Sequence, residues 1–467
     1  MRASPHISPG SVATAARHLH LMGIGGVGMC GIAEVLLGEG VVVSGCDLAD
    51  NERTRRLTEL GVDVHRGHDP AHLERVDALV VTAAVSSDDR ELVAARALGM
   101  PVVRRAEMLA ELMRQRRGVA VAGTHGKTTT TALIGHILTS VGADPTVIVG
   151  GRAQDFGAHA RIGEAPVLIC EADEFDRSFL ELAPHIAVVT NIEAEHLDCY
   201  DGEEDLVAAF ASFANRASVF GSAILCADDP GAWGLRDRVR RRVVGYGVSP
   251  EAEMRLEIIA ADADGTRFTV FRGGRRLGEV GLPLPGAFNA LNALAAITVG
   301  LELDIAFEDL AHGCSSFGGV ARRFEVLGER DGVTVVDDYA HHPTELEAVL
   351  EAARQAMPGR RLVVVFQPHL FSRTRDFAGR FAAALMGAEI AVVLPIYPAR
   401  EQPVAGVSSQ LVVDEAKRLG HPRVIVGAPL DRAEAQVDEI VRPGDVLLTV
   451  GAGDVDRLAA AWLGGAT

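Results

Sequence analysis

From His18 to the end of the chain, short runs of β-branched and aliphatic residues alternate with longer helix-patterned segments that close on glycine. "HLHLMG" precedes "GIAEVLLGEG", "VVVSGCD" precedes "RTRRLTELG", and "ALVVTAA" precedes "RELVAARALG". Strands separated by helices cannot pair as hairpins. They lie parallel, with the helices covering the faces of the sheet. The alternation therefore predicts an α/β fold built on a doubly wound parallel sheet.

The rhythm breaks at "MRQRRG" and restarts at "VAVAGTHGKTTTTALIGHILTSVG", running on through "VLICEADEFD" and "IAVVTNIEAEH" to "GAFNALNALAAITVGLEL". Between Gly245 and Gly281, alternating stretches such as "RFTVFRGG" predict a small antiparallel part. After "GGVARRFE" the alternation resumes in "VTVVDDYAHHPTELEAVLEAARQA", "RLVVVFQPH", "EIAVVLPIYPAR", "RVIVGA" and "DVLLTVGAG". A chain of 467 residues is too long for one ordinary core, at about 150 residues per domain. Three α/β domains are expected, over residues 1–113, 114–321 and 322–467.

Hydrophobic residues make up 48% and charged residues 23%, the balance of a soluble globular chain. With 45 basic against 63 acidic residues and a formal charge of -18, nucleic acid and anionic membranes are poor candidates for the main partner. Small anions are still accessible to backbone amides at helix starts. Cys30, Cys46, Cys170, Cys199, Cys226 and Cys314 are scattered without a C-x-x-C pair, which predicts buried free thiols. "MRASPHISPGSVATAARHLHLM" has no continuous apolar segment, and no later run approaches the roughly 18 apolar residues of a membrane span. A cytoplasmic protein is expected. Monomer and homo-oligomer are both compatible with these residues.

Two glycine loops carry the chemistry. In "LMGIGGVGMCGIAEVLL", Gly23, Gly25 and Gly28 fit the dinucleotide fingerprint, and Asp47 lies at about the distance of its ribose-binding acid. Alone, this loop reads as the site of an NAD-dependent dehydrogenase. In "VAVAGTHGKTTTT", a strand from Val119 to Ala122 leads through Gly123, Thr124, His125 and Gly126 into a helix starting near Lys127. That arrangement aims backbone N–H groups and a helix N-terminus at one point, as a triphosphate tail requires. Lys127 would reach the β and γ phosphates and Thr128 would place its hydroxyl on Mg²⁺. Val121 stands where the full P-loop pattern has its first glycine, so this is a shortened variant. Glu171 and Asp173 follow the strand "VLIC" at the same sheet edge, as does His196 after the next strand. These carboxylates could hold the same Mg²⁺.

Read in order, "GIGGVGM", "GTHGKTTTT", "EADEFD", "NIEAEHLD", "FNALNALAA", "ARRFE", "VDDYAHHPTE" and "FQPHLFSRT" resemble the motifs of the Mur ligase family. The resemblance implies an N-terminal Rossmann-like domain binding a UDP-sugar, a central P-loop-type ATPase domain, and a C-terminal Rossmann-like domain closing over ATP and an amino acid. It also implies a reaction. The carboxylate of UDP-N-acetylmuramate attacks ATP, forming an acyl phosphate that the amine of L-alanine converts to an amide, with ADP and phosphate released.

By the same resemblance, Gly123 to Thr129, including Lys127, hold the ATP phosphates. Thr128, Glu171 and His196 hold Mg²⁺. Asn289 and Asn292 lie beside the adenine. Arg323, with Arg322 as its neighbour, reaches the phosphates, Asp338 faces the nucleotide, and His342 belongs to the same loop. Lys127, His196, Arg323, Asp338 and His342 are thus the implied catalytic set. The first loop then holds the diphosphate of the UDP-sugar rather than of NAD. Gly25, Gly26, Gly28 and Met29 would shape the turn, with Ser44 and Asp47 near the nucleoside. Two positions depart from the family pattern: Phe175 where serine is common, and Glu195 where aspartate is usual. "EHLDCYDGEEDLVAAFASF" offers no lysine, so no carbamylated lysine is expected. A relative that takes a recycled peptide in place of alanine shares this chemistry, and a nucleotide-binding protein without catalysis would leave these charged positions without roles.

Overall fold

The structure is a computed structural model that describes residues 12, 16–194, 199–399 and 401–464. The chain divides into two compact units. The first comprises Met1–Glu257, Thr269–Val280 and Leu291–Gly318, the second Ile258–Phe268, Gly281–Ala290 and Gly319–Thr467.

The first unit opens with β1 (His18–Met22), α1 (Val27–Gly38), β2 (Val42–Asp47), α2 (Glu52–Glu59), β3 (Asp63–Arg66), β4 (Ala78–Val81), α3 (Arg90–Ala97), β5 (Val102–Arg104) and α4 (Arg105–Met113). The strands form a five-stranded sheet in the order β3-β2-β1-β4-β5, every neighbouring pair parallel. The order reverses at β1 and β4. A crevice therefore opens at their carboxyl ends, where the Gly23–Gly28 turn lies. β4 is buried along its whole length, as a strand covered on both faces should be.

The next elements are β6 (Arg117–Ala122), α5 (Lys127–Ser140), β7 (Thr146–Ala153), β8 (Ala158–Arg161), β9 (Val167–Glu171), β10 (Ile186–Val189), α6 (Glu203–Asn215), β11 (Ser222–Cys226), α7 (Pro230–Gly234), β12 (Arg242–Gly247), β13 (Met254–Asp262), β14 (Gly265–Arg272), β15 (Arg275–Leu282), α8 (Ala287–Glu302) and α9 (Phe307–Ser315). Their strands make a ten-stranded sheet, β15-β14-β13-β12-β11-β10-β6-β9-β7-β8. β6 lies between β9 and β10, parallel to both, so the loop after it emerges at the centre of the sheet edge. The links Ala263–Asp264 and Gly273–Gly274 are too short for anything but antiparallel joins. They supply the antiparallel part expected between Gly245 and Gly281. Within this unit α1 packs on β7 and β8.

The second unit holds β16 (Glu325–Arg330), β17 (Val333–Asp338), α10 (Pro343–Ala356), β18 (Leu362–Phe366), α11 (Phe371–Leu385), β19 (Ile390–Val393), α12 (Gln410–Arg418), β20 (Val424–Val426), α13 (Leu430–Asp438), β21 (Val446–Val450) and α14 (Asp456–Trp462). The sheet order is β16-β17-β21-β18-β19-β20, parallel except for β16. Alternate residues supply two cores. Val336, Val364, Phe366 and Leu448 pack with Leu346, Leu350 and Phe381, while Val335, Val363, Val365 and Leu447 pack with Val437, Leu458 and Trp462. Each such side chain contributes about 1.5–3 kcal/mol on burial.

Five of the six cysteines are buried, and Cys199 is half-buried. Among the described residues, no helix is long and apolar enough to cross a membrane.

Candidate active site

β6 delivers the chain into a tight loop ending at Gly126, whose φ of 80° is a left-handed conformation that glycine adopts without strain. A Cβ at this position would also press within 2.6 Å of Asn292 Oδ1. Gly123 is constrained by proximity, since a Cβ there would lie 2.0 Å from Thr190 Oγ1. α5 has no side-chain N-cap and no acid in its first turn, and the same holds for α1 after the first glycine loop. By contrast, α2 and α3 are capped by Asn51 and Asp89. The two helices that follow glycine loops thus keep first-turn N–H groups without a side-chain acceptor, the arrangement that suits a phosphate.

The end of β10 fixes the loop. His125 N donates to Asn191 Oδ1 at 2.7 Å, and His125 O accepts from Thr190 Oγ1 at 2.6 Å and from Asn191 Nδ2 at 3.1 Å. Glu193 N donates to Thr124 Oγ1 at 2.8 Å. Asn292 accepts from Thr130 Oγ1 at 3.2 Å, which places it beside the loop. The Lys127 ammonium reaches back along the loop, donating to Thr124 O at 3.2 Å and to both oxygens of Glu174 at 2.9 and 2.8 Å. Burial works against its charge, but the carboxylates of Glu174 and Asp173 outweigh that effect and raise its pKa above the ordinary lysine value. The loop therefore presents a lysine held as a cation.

Glu171 ends β9 opposite Val121 of β6, and its carboxylate accepts from Gly150 N. Thr128 is buried in the first turn of α5. A threonine hydroxyl and a carboxylate at one sheet edge are oxygen donors only, the chemistry that fits Mg²⁺. Asp173 lies 3.7 Å from Arg105. His196 and Glu195 fall outside the described residues, while Phe175 opens the 3-10 turn Phe175–Glu181. Glu174, Thr190 and Asn191 were not singled out from the sequence, although Glu174 adjoins Asp173 in "EADEFD" and Thr190 and Asn191 open "TNIEAEH". Their signal was position, at the ends of strands that flank β6.

At the first loop, Asp47 Oδ2 accepts from Gly25 N at 2.9 Å and Oδ1 from Ala49 N at 3.0 Å, so the acid braces the turn. Gly26 precedes α1, and Met29 is buried in it. Arg105, also missed in the sequence, brings a guanidinium so near Gly28 that a Cβ there would approach it to 2.8 Å. Ser44 is not brought to this turn. It pairs in register with His20, three positions before Asp47, so the two point to opposite faces of the sheet. The Ser44 hydroxyl lies 2.8 Å from a ring nitrogen of each of His18 and His20.

In the second unit, Asp338 ends β17. Its oxygens accept from Phe324 N and Ala340 N, both at 2.7 Å. Burial pushes its carboxyl up to about 7, against the opposing pull of Arg323 and these two N–H groups. Arg322 is a structural residue: it bonds Asp337 at 2.9 Å, Gly451 O at 2.6 Å and Gly453 O at 3.1 Å. Arg323 is held more loosely, 3.9 Å from Glu345 and with its guanidinium 5.2 Å from the Tyr339 ring, which leaves it better able to meet an anion. His342 is buried at the start of α10, its N–H directed to Glu345 at 3.2 Å. Asn289 is buried and donates to Pro285 O at 2.8 Å.

Comparison with known proteins finds likeness over most of the chain. Residues 18–117 match the Mur ligase family catalytic domain, 121–300 the Mur ligase middle domain, and 322–453 the Mur ligase glutamate ligase domain. The chain is 48% identical over 449 residues to a UDP-N-acetylmuramate–L-alanine ligase of Nitratidesulfovibrio vulgaris, covering 96% of this chain and 99% of the relative. It is 47% identical over 437 residues to one from Geotalea daltonii, covering 94% and 95%. The crystal structure of the UDP-N-acetylmuramate-alanine ligase of Thermotoga maritima superposes with a TM-score of 0.80 at 29% identity, covering 96% of this chain and 98% of that one. With its glycine loops, its lysine and its three sheets accounted for, the chain belongs to the Mur ligase family.

Proposed function

We propose that the chain is an ATP-dependent ligase joining L-alanine to the carboxylate of UDP-N-acetylmuramate, a step in building peptidoglycan precursors. The observation that carries this reading is the loop from Gly123 to Thr128, with a half-buried lysine held charged beside an uncapped helix start. The names of the relatives at 48% and 47% identity support the choice of substrates. The NAD reading of the first loop is set aside because it leaves that second loop without a role.

In the first step a carboxylate oxygen attacks the γ-phosphorus, the bond to the ADP oxygen breaks, and ADP leaves. The amine of L-alanine then attacks the acyl carbon and loses a proton, and phosphate departs with the C–O electrons. Bringing a carboxylate against a polyphosphate sets anion against anion, so fixed cations are the main requirement. Lys127 meets it on the β and γ phosphates, and Arg323 adds a second cation. Asp338 and His342 orient groups at the nucleotide, and Asn289 and Asn292 border the adenine. Thr128, Glu171 and His196 would hold Mg²⁺, which supplies further positive charge at the transferred phosphoryl group. Gly25, Gly26, Gly28 and Met29, braced by Asp47, form the turn for the UDP diphosphate. Residues 1–113 serve the UDP-sugar, 114–321 the ATP, and 322–467 the nucleotide and amino acid. We place the chain in the cytoplasm.

The test is phosphate release from Mg–ATP and UDP-N-acetylmuramate with L-alanine, other amino acids or a muramyl tripeptide as acceptor, with product masses measured. Release that requires L-alanine and yields the matching amide is expected. Release that requires the tripeptide, or none with any acceptor, overturns the assignment.

A further inference from the structure

On the sheet face opposite Asp47, the N-terminal domain gathers four side chains that the reaction does not use. His20 on β1, Cys46 on β2, His72 in the 3-10 turn Pro70–Leu73 and Glu91 in the first turn of α3 bring one ligand atom each to within 4.8 Å of one another. His20 Nε2 lies 2.9 Å and His72 Nδ1 3.4 Å from Glu91 Oε1, and Cys46 Sγ is 3.4 Å from Glu91 Oε2. His20, Cys46 and Glu91 are fully buried. His20 Nε2 and Glu91 Oε1 face each other at ion-pair distance, while His72 Nδ1, a buried atom aimed at the same carboxylate, completes no hydrogen bond.

We propose that this cluster is a structural site for a transition-metal dication of the zinc class, bound by His20 Nε2, Cys46 Sγ, His72 Nδ1 and Glu91. Two ligands about 2.0–2.1 Å from a tetrahedral zinc stand roughly 3.3 Å apart; the two histidine–Glu91 spacings, 2.9 and 3.4 Å, lie within a few tenths of an ångström of that, and all four ligand atoms lie within 4.8 Å of one another, a cluster that the ion would draw together. Mixed nitrogen, sulfur and carboxylate donors suit zinc and not Mg²⁺. A thiolate and a carboxylate neutralise the dication, so no unpaired charge is buried. The surroundings hold the ligands in place: Ser44 Oγ bonds His20 Nδ1 at 2.8 Å, and Asp69 N donates to Glu91 Oε2 at 3.0 Å. The His65 ring stacks on His72 with centroids 4.2 Å apart. Such partners orient metal-bound histidines and carboxylates. With four protein ligands no coordination position is left for a substrate, which is the mark of a structural site.

Tag-free full-length protein grown with added zinc and desalted would be assayed by elemental mass spectrometry, then stripped and titrated with Co²⁺. One zinc per chain is expected, and the cobalt form should show tetrahedral d–d bands with a thiolate charge-transfer band. Cys46→Ser should remove the charge-transfer band, and His72→Asn should weaken metal binding at least tenfold. His72 lies in a surface turn, so this variant should fold even if Cys46→Ser does not. Absence of zinc together with no thiolate band on cobalt titration overturns the proposal. So does metal binding that is unchanged in His72→Asn, which would place the ion at other histidines.

Discussion

Lys127, which we propose meets the ATP phosphates, is also a structural residue through Glu174. The ammonium is bonded to both carboxylate oxygens of a buried glutamate, so Lys127→Ala removes a cation from the phosphates and leaves an uncompensated buried acid. Turnover should fall by at least about 10²–10³-fold. Stability should fall by up to about 3–5 kcal/mol, less whatever Glu174 recovers by taking a proton. The pair Lys127→Met with Glu174→Gln removes both charges, and denaturant melts should show stability largely restored while phosphate release stays lost. Recovery of turnover in the pair would remove Lys127 from the chemistry. Asp338 presents a different balance, because burial raises its carboxyl to about 7. The folded chain then holds this proton more tightly than the unfolded chain. The group's contribution to stability is full below the ordinary carboxylate pKa near 4 and drains away as the pH rises through about 7, a loss of roughly 4 kcal/mol at 1.36 kcal/mol per unit. Carboxyl ¹³C NMR, assigned with Asp338→Asn, should give a midpoint near neutrality, and a midpoint below 5 would contradict the desolvation argument.

Each glycine loop is an element braced by residues outside it, and the two braces should separate the two nucleotide substrates kinetically. Asn191 holds His125 through two hydrogen bonds, worth about 1 kcal/mol each. Asn191→Ala should therefore raise KM for ATP by roughly tenfold or somewhat more with a smaller effect on the UDP-sugar. Asp47 holds the Gly25 amide, so Asp47→Ala should raise KM for UDP-N-acetylmuramate more than for ATP. The reverse order in steady-state kinetics would mean that the two sites are exchanged. The loops themselves were legible in the sequence because strand, glycine, lysine and helix follow one another along the chain. Their braces were not, because Asn191 and Glu174 meet the loop only once β9, β6 and β10 lie side by side. Ser44 illustrates the same limit. The resemblance put it with Asp47 at the end of the second strand, but strand parity sends it to the opposite face, toward His18 and His20, and parity acquires a meaning only when a sheet has two covered sides.

Across the molecule, the βα alternation gave the parallel sheets, but not the grouping of the chain. Units that draw on residues 258–268 and 281–290 as well as 319–467 depend on contacts between distant segments, which no local pattern announces. The five-stranded sheet lies whole in the first unit and the six-stranded sheet whole in the second, each with its own buried side chains, so heating should not melt 467 residues as one cooperative body. Scanning calorimetry should give a van't Hoff enthalpy below the calorimetric one. Nucleotide then distinguishes the transitions, because a ligand stabilises what it binds by RT ln(1 + [L]/Kd), about 2.7 kcal/mol at 100 times Kd. The Lys127 loop lies wholly in the first unit, so Mg–ATP at that excess should raise the transition of that unit in the native chain. In Lys127→Met with Glu174→Gln, whose fold is kept but whose phosphate cation is gone, the same nucleotide concentration should produce little or no shift. A single two-state melt would refute the division into independent cores, and an equal shift in native and variant protein would place the nucleotide away from this loop.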